Sequence, residues 1–294
     1  MCSKKKYAVF TMDVEDFSDA GCLARRGLSP DDDMLDGIDK YVSLLERHGI
    51  RATLFTLCHT AKRIEEKLAS ISERGHAIAL HGYDHTSLDK LTAEEFREKT
   101  KKAKEYLEGI LGKRVEGYRA PFFSMDDEKI EVLRSLGFKY DSSSHGFTRN
   151  YLKGGFSLEG FENRLSGVYS KDGLYEFSLS CENILGCTYP VSGGGYVRLC
   201  PWPLVRDGIK RYIKKNDCYV FYLHPFELSD NRSDAVAELP RSERFYLSSG
   251  ISAYAEKIER IIEMLKREGY TFVTFDELCD EVEKEEKTAA LQVK

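Results

Sequence analysis

The chain has 294 residues, with 44 Lys and Arg against 49 Asp and Glu, a formal charge of −5, 41% hydrophobic and 12% aromatic residues. At roughly 150 residues per domain this length is two domains or one large α/β barrel, and the composition excludes a wholly disordered chain and a predominantly basic nucleic-acid surface. No run approaches the ~18 apolar residues of a transmembrane segment, and MCSKKKYAVFTMDVED passes directly from a basic stub into a core strand, so a cytoplasmic location is expected.

Residues 7–12 form a short, partly β-branched apolar run ending in Asp13, Glu15 and Asp16, the pattern of a buried strand opening into a loop. Ile38, Tyr41, Val42, Leu44 and Leu45 predict a helix over 36–48, which Gly49 stops before a strand over 52–57. The alternation repeats with helix 61–74 and strand 77–80 leading to His81. Helix 92–111, opened by the capping pair Thr92 and Glu95, precedes strand 115–118, which leads to Arg119. Helix 126–136 and strand 138–140 then deliver Asp141.

Residues 142–203 are rich in Gly, Ser and aromatics, with strands expected near 175–179 and 196–199. Regularity returns with helix 204–214 and strand 218–223, which ends in His224 and Pro225. After a long excursion at 231–250 come helix 251–266, strand 271–274 and a last helix over 275–282. The charged tail 283–294 has little to bury and is expected to fray. Eight cysteines include no CxxC pair and read as free thiols.

No linker rich in Pro, Gly or Ser divides the chain, so residues 1–282 read as one domain. Alternating strands and helices favour an α/β fold, its parallel sheet closed or nearly closed into a distorted (β/α) barrel of about seven units. Polar residues at strand ends, here Asp13, His81, Arg119 and Asp141, make a site.

In HGYDH, His81 and His85 stand four apart after a strand, spaced to share a metal or to bond within a loop; the glutamate and helix of an HExxH zinc site are missing. The acidic cluster at 13–16 offers one carboxylate to complete a three-ligand site with room for water and a second to act as base, or else it is a solvated strand end. Arg119, in GYRAPFF, aims its fork at one of these carboxylates or pairs at the surface. His224 is either an acid whose proton affinity Asp141 raises, or a structural histidine with Asp141 capping a turn. Tyr83, Phe122, Phe123, Tyr196 and Trp202 line a ligand pocket or pack in the core. Arg198 meets an anionic group of a ligand, or bonds a loop carbonyl or carboxylate. Gly193, Gly194 and Gly195 lack a following Lys-Ser/Thr and read as a close-turning loop, not a nucleotide cradle.

In order, TMDVED, HGYDH, YRAPFF, YDSS and YLHPFE resemble the signature segments of the polysaccharide deacetylase family (NodB-homology, carbohydrate esterase family 4), and SGGGYVRLCPW resembles its subgroup associated with bacterial exopolysaccharide loci. The resemblance implies a distorted barrel of NodB-homology type and a divalent metal, zinc foremost. It also implies removal of acetyl groups from N-acetylated sugars of a cell-surface or exopolysaccharide, as oligosaccharide, polymer or lipid-linked precursor. By it Asp13 matches the base, Glu15, His81 and His85 the metal ligands, and Arg119 the arginine orienting the base. The Phe122 backbone N–H matches an oxyanion donor, His224 the acid and Asp141 its support. Val14 stands where many relatives carry the metal-binding aspartate, which makes Glu15 the preferred carboxylate and Asp16 its rival. Two other functions stay open: a metal-dependent amidase acting on a small or cyclic amide, and a noncatalytic carbohydrate-binding homologue.

Overall fold

The computed structural model describes residues 5–19, 21–24, 33–145, 155–184 and 187–292. Its strands are β1 (Lys6–Val14), β2 (Thr53–Thr56), β3 (Ala77–Leu80), β4 (Gly117–Tyr118), β5 (Tyr140–Asp141), β6 (Glu162–Leu165), β7 (Val168–Lys171), β8 (Leu174–Phe177), β9 (Cys181–Ile184), β10 (Cys187–Pro190), β11 (Cys218–Leu223) and β12 (Tyr270–Phe272). Ten of them make one curled sheet in the order β11-β1-β2-β3-β4-β5-β8-β7-β6, with β12 also on β1. From β11 to β8 the pairs are parallel, whereas β8, β7 and β6 run antiparallel. The sheet is a half-barrel, not a closed one. Beyond its β11 edge, among the described residues, isolated bonds reach across: Val220 N donates to Ser180 Oγ at 2.8 Å, and Tyr222 N to Ser192 O at 2.7 Å.

Alternation along β1 decides what reaches its end. Successive side chains of a strand point to opposite faces, so Ala8, Phe10, Met12 and Val14 enter the core between sheet and helices, while Tyr7 and Val9 enter a second core inside the curl. Asp13 continues the inner row. Glu15, two residues on, joins it around one cavity, and Val14 is spent on packing. The inner core is completed by the helix Phe275–Gln292, whose Phe275 stacks on Phe177 with ring centroids 4.4 Å apart.

The outer helices form where apolar spacing and end signals agree. The helix Asp36–Arg47 buries Ile38, Tyr41, Val42 and Leu45 on one face, as the 3.6-residue period requires. In the helix Ala93–Leu111, Thr92 Oγ1 accepts from Glu95 N while Glu95 reaches back to Thr92 N. Such a cap contributes about 1 kcal/mol. At the other end Gly112 takes the left-handed conformation, φ 63°, which costs a residue without Cβ least.

Four elements differ from expectation, one of them the helix Arg241–Ser248 inside the expected excursion at 231–250. Residues 196–199 belong to a helix, Gly194–Leu199, and not to a strand. The expected helix 61–74 is interrupted, as Cys58–Ala61 and Glu65–Glu73. The last helix runs ten residues past 282, to Gln292. Its acidic side chains find cations on neighbouring elements: Lys5 Nζ lies 3.0 Å from Glu281, Lys139 Nζ 3.2 Å from Glu283, and Arg164 Nε 2.9 Å from Glu286. Charge pairing with the sheet thus substitutes for burial.

Candidate active site

The parallel strands β1, β3, β4 and β11 share one direction, so Asp13, His81, Arg119 and His224 emerge at the same end of the sheet. There a cavity of about 400 Å³ is lined by Asp13, Glu15, His81, His85 and His224, with Phe122, Phe123, Tyr222, Phe226 and Tyr246 among its apolar walls.

Glu15, His81 and His85 each offer one ligand atom, all within 4.8 Å of one another. His81 donates from Nδ1 to Arg119 O at 2.9 Å, and His85 from Nδ1 to Asp19 O at 3.0 Å. With the proton committed there, each Nε2 turns a lone pair inward. Glu15 Oε2 lies 2.7 Å from His85 Nε2 and 3.9 Å from His81 Nε2, is buried, and accepts no hydrogen bond among the described residues. Two imidazole nitrogens and a buried carboxylate oxygen facing one point make a candidate cation site, and this donor set suits a divalent ion of the zinc kind. Burial pushes the Glu15 carboxyl up, but His85, His224 and His81 outweigh it and bring it down to about 2. His81, dominated by burial, falls to about 4 and so stays a neutral ligand.

Asp16 is turned away from this point. Its Oδ1 accepts from Phe17 N at 2.7 Å, and its Oδ2 pairs with Arg63 Nη1. One residue of extra chain is enough to change sides, which separates the rival carboxylates.

Beside the ligands, Asp13 Oδ1 accepts from Arg119 Nη1 at 2.6 Å. The guanidinium is wholly buried, bonds Thr11 Oγ1, Ser142 O and Ser142 Oγ at 2.9–3.0 Å, and lies 4.0 Å over the ring of Phe55. Removing one partner of such a pair costs about 3–5 kcal/mol, because the other charge is left buried and alone. The carboxylate is thereby held rigidly beside the space facing the ligands. Phe122 sits at φ 55° in the turn after Arg119 and packs 4.2 Å from the His85 ring.

His224 follows β11 and brings Nε2 to 3.6 Å from Glu15 Oε1. Its Nδ1 faces Glu227 Oε2 at 3.3 Å. Burial alone would lower this imidazole, but Glu15, Glu227 and Asp13 raise it to about 9. The expected partner Asp141 is not brought to it. Asp141 instead accepts from Ser143 N at 3.0 Å and Ser143 Oγ at 2.8 Å, and it faces Glu176 in the β5–β8 pairing. Burial pushes Asp141 up to about 6 and Glu176 well above the carboxylate range. The reason is topological: four strands separate β5 from β11, whereas Glu227 lies three residues along the same turn.

Of the other expected residues, Phe122 and Phe123 line the cavity; Tyr83, Tyr196, Trp202 and Arg198 do not. Tyr83 lies under Lys62 and Trp202 under Arg260, and Tyr196 borders a separate apolar groove. Arg198 is buried on Glu227, so it is not an anion-binding surface residue. The wall formed by Tyr222, Phe226, Ser242, Tyr246 and Leu247 went unread in the sequence. HPFE signalled Phe226 and Glu227 by adjacency to His224, but the helix Arg241–Ser248 lay in what reads as a connecting stretch.

The polysaccharide deacetylase family model matches residues 27–140, and a domain of unknown function, DUF3473, matches residues 150–280. A "Peptidoglycan deacetylase" from Helicobacter pylori is 26% identical over 256 residues, 83% of each chain. Among solved structures, a Mycobacterium smegmatis protein with a provisional polysaccharide-deacetylase assignment superposes with TM-score 0.62 at 20% identity, covering 97% of this chain and 93% of that one. A carbohydrate esterase family 4 pseudoenzyme from Bacillus anthracis gives 0.54 at 14% identity, covering 95% and 66%. These two likenesses speak to fold, and a pseudoenzyme among them leaves chemistry to be argued from side chains.

Proposed function

We propose that the chain is a member of the polysaccharide deacetylase family of NodB-homology proteins, carbohydrate esterase family 4, and a metal-dependent hydrolase removing N-acetyl groups from the sugars of a cell-surface or exopolysaccharide, or of its precursor. One observation carries the reading: a carboxylate locked by a buried arginine, a Glu/His/His ligand set and a further imidazole all face one cavity. The SGGGYVRLCPW segment and the relative named for peptidoglycan support a polymeric, N-acetylated sugar.

Glu15, His81 and His85 would hold the ion, for which zinc is the first candidate. When bound, such an ion supplies Lewis acidity, polarising the acetamide carbonyl and acidifying water. Asp13 takes the proton of the attacking water, and Arg119 holds its carboxylate toward that position. The Phe122 backbone N–H donates to the oxygen that gains negative charge as the carbonyl carbon becomes tetrahedral. His224 gives its proton to the nitrogen, which leaves as a neutral amine with acetate as the other product. An unprotonated amide nitrogen is a poor leaving group, so an imidazole facing the same cavity as Asp13 has a specific task. Phe122, Phe123 and Tyr222 present apolar faces to the acetyl group and sugar ring.

The test is product analysis with zinc-loaded protein on N-acetylglucosamine oligomers: acetate and a free amine in equal amounts are expected, lost on chelation. Ring opening of a cyclic amide without acetate release from any sugar defeats the proposal in favour of the amidase.

A further inference from the structure

The glycine run preceding Arg198 has a structural purpose that leads back to His224. Gly193, at φ 118°, lies so close to β11 that a Cβ there would stand 2.2 Å from Tyr222 O, and a Cβ on Gly195 would stand 2.5 Å from the ring of Tyr246. Only bare backbone fits at Gly193, and a side chain at Gly195 would displace the Tyr246 ring. The short helix Gly194–Leu199 is thereby seated between the end of β11 and the helix Arg241–Ser248. Lys257 secures its far end, donating to the carbonyls of Val197, Arg198 and Cys200 at 3.1, 2.7 and 2.7 Å.

So placed, Arg198 Nε reaches Glu227 Oε1 at 2.8 Å, with both side chains fully buried. The other oxygen of Glu227 accepts from His224 N at 3.1 Å and faces His224 Nδ1 at 3.3 Å. Arg198 spends its remaining nitrogens on the carbonyls of Tyr246, at 2.6 Å, and Ser249. Tyr246 itself lines the cavity. A buried ion pair adds little stability over an apolar pair of the same volume; this one has an imidazole at one end and a cavity wall at the other.

We propose that Glu227 and Arg198 are positioning residues: Glu227 orients His224 in the role the family resemblance gives to Asp141, and Arg198 fastens the Tyr246 wall to the same carboxylate. The inference rests on the deacetylase reading and deepens it. Substrate pressing on the wall and the acid that serves it are then held by one side chain.

The experiment compares Glu227→Gln, Arg198→Lys and Asp141→Asn in the metal-loaded protein, using an N-acetylglucosamine oligomer and 4-nitrophenyl acetate. The aryl ester expels a phenolate that needs no proton, so it ignores the acid. In Glu227→Gln, kcat on the acetamide falls about 10- to 100-fold while kcat on the ester stays within about threefold and metal content is unchanged. Arg198→Lys, unable to span Glu227 and two carbonyls, raises KM for the oligomer several-fold and lowers kcat less. Asp141→Asn shifts amide and ester together. If Glu227→Gln does not fold, the double variant Arg198→Met, Glu227→Gln removes both charges and carries the same expectation. Equal losses on amide and ester, or a larger amide-specific loss in Asp141→Asn, overturn the proposal.

A readout independent of turnover separates this inference from the reading beneath it. In protein labelled with ¹⁵N-histidine, the Nδ1–H resonance of His224 moves in Glu227→Gln and stays in Asp141→Asn. That pattern in a protein that deacetylates no sugar overturns the deacetylase reading alone; an unmoved resonance in Glu227→Gln overturns the positioning role.

Discussion

The two sides of the cavity are built by different means. On the side of β1, β3 and β4, the proposed ligands and base sit at or just beyond the ends of parallel strands, and each is tied by a bond to backbone or to Arg119: His81 to Arg119 O, His85 to Asp19 O, Asp13 to Arg119. Sheet register places them within about one residue of their neighbours. On the other side, His224 leaves β11 but is held by Glu227 and Arg198, and the wall comes from helices outside the sheet. The first side is rigid by topology; the second is rigid only as far as its buried polar contacts hold. The proposed binding of an ion and entry of a polymer would use both, because a metal tolerates little displacement while substrate must enter and leave.

Breaking the strand-end side should have the largest effects. His81→Ala, His85→Ala and Glu15→Ala each remove one of three ligands and should weaken zinc retention by well over about 100-fold, read as metal content after dialysis; full retention in all three would sink the assignment of the site. Asp13→Asn should keep the metal and lower kcat by roughly 10²- to 10⁴-fold, so unchanged turnover removes Asp13 from the role of base.

The buried Asp141–Glu176 pair sharpens the contrast through pH. Both carboxyls titrate higher in the folded than in the unfolded chain, where they lie near about 4. The folded state therefore keeps protons that the unfolded state has released. Stability falls as pH rises from about 4 through the Asp141 value near 6. Asp141→Asn should flatten that slope, a difference of roughly 1–3 kcal/mol in urea titrations at the two ends of the window; an identical slope would show that the pair is not protonated.

The smallest effects are expected on the wall. Tyr246→Ala should raise KM for an oligosaccharide about 3- to 10-fold, on the scale of one lost aromatic contact. Tyr196→Ala and Trp202→Ala, which lie off the cavity, should change it less than about twofold on that scale. A reversed order would move the substrate to the apolar groove beside Leu204.

What could be read from the chain alone follows the same division. The strands 77–80 and 218–223 stand where their apolar runs stop, and His81, Arg119 and His224 follow strand ends because a buried strand leaves its first polar residue at the rim. The preference for Glu15 over Asp16 comes from the family resemblance, and the structure turns Glu15 toward the cavity and Asp16 toward Arg63. By contrast, no local pattern marks the helix Arg241–Ser248 as a cavity wall. In SGGGYVRL the β-branched and aromatic residues favour extension locally, but 196–199 are helical because the fit of Gly193 and Gly195 against β11 and Tyr246 is a tertiary contact.

By itself the sequence determined the alternation of strand and helix, the strand ends that carry chemistry and the residue types able to hold a cation, since each is a property of neighbours along the chain. The tertiary structure alone decided that Glu227 and not Asp141 stands behind His224, that Arg198 is buried, and which aromatics face the cavity. Those outcomes depend on strand order and on how closely segments far apart in sequence can pack, quantities that no short stretch of residues encodes.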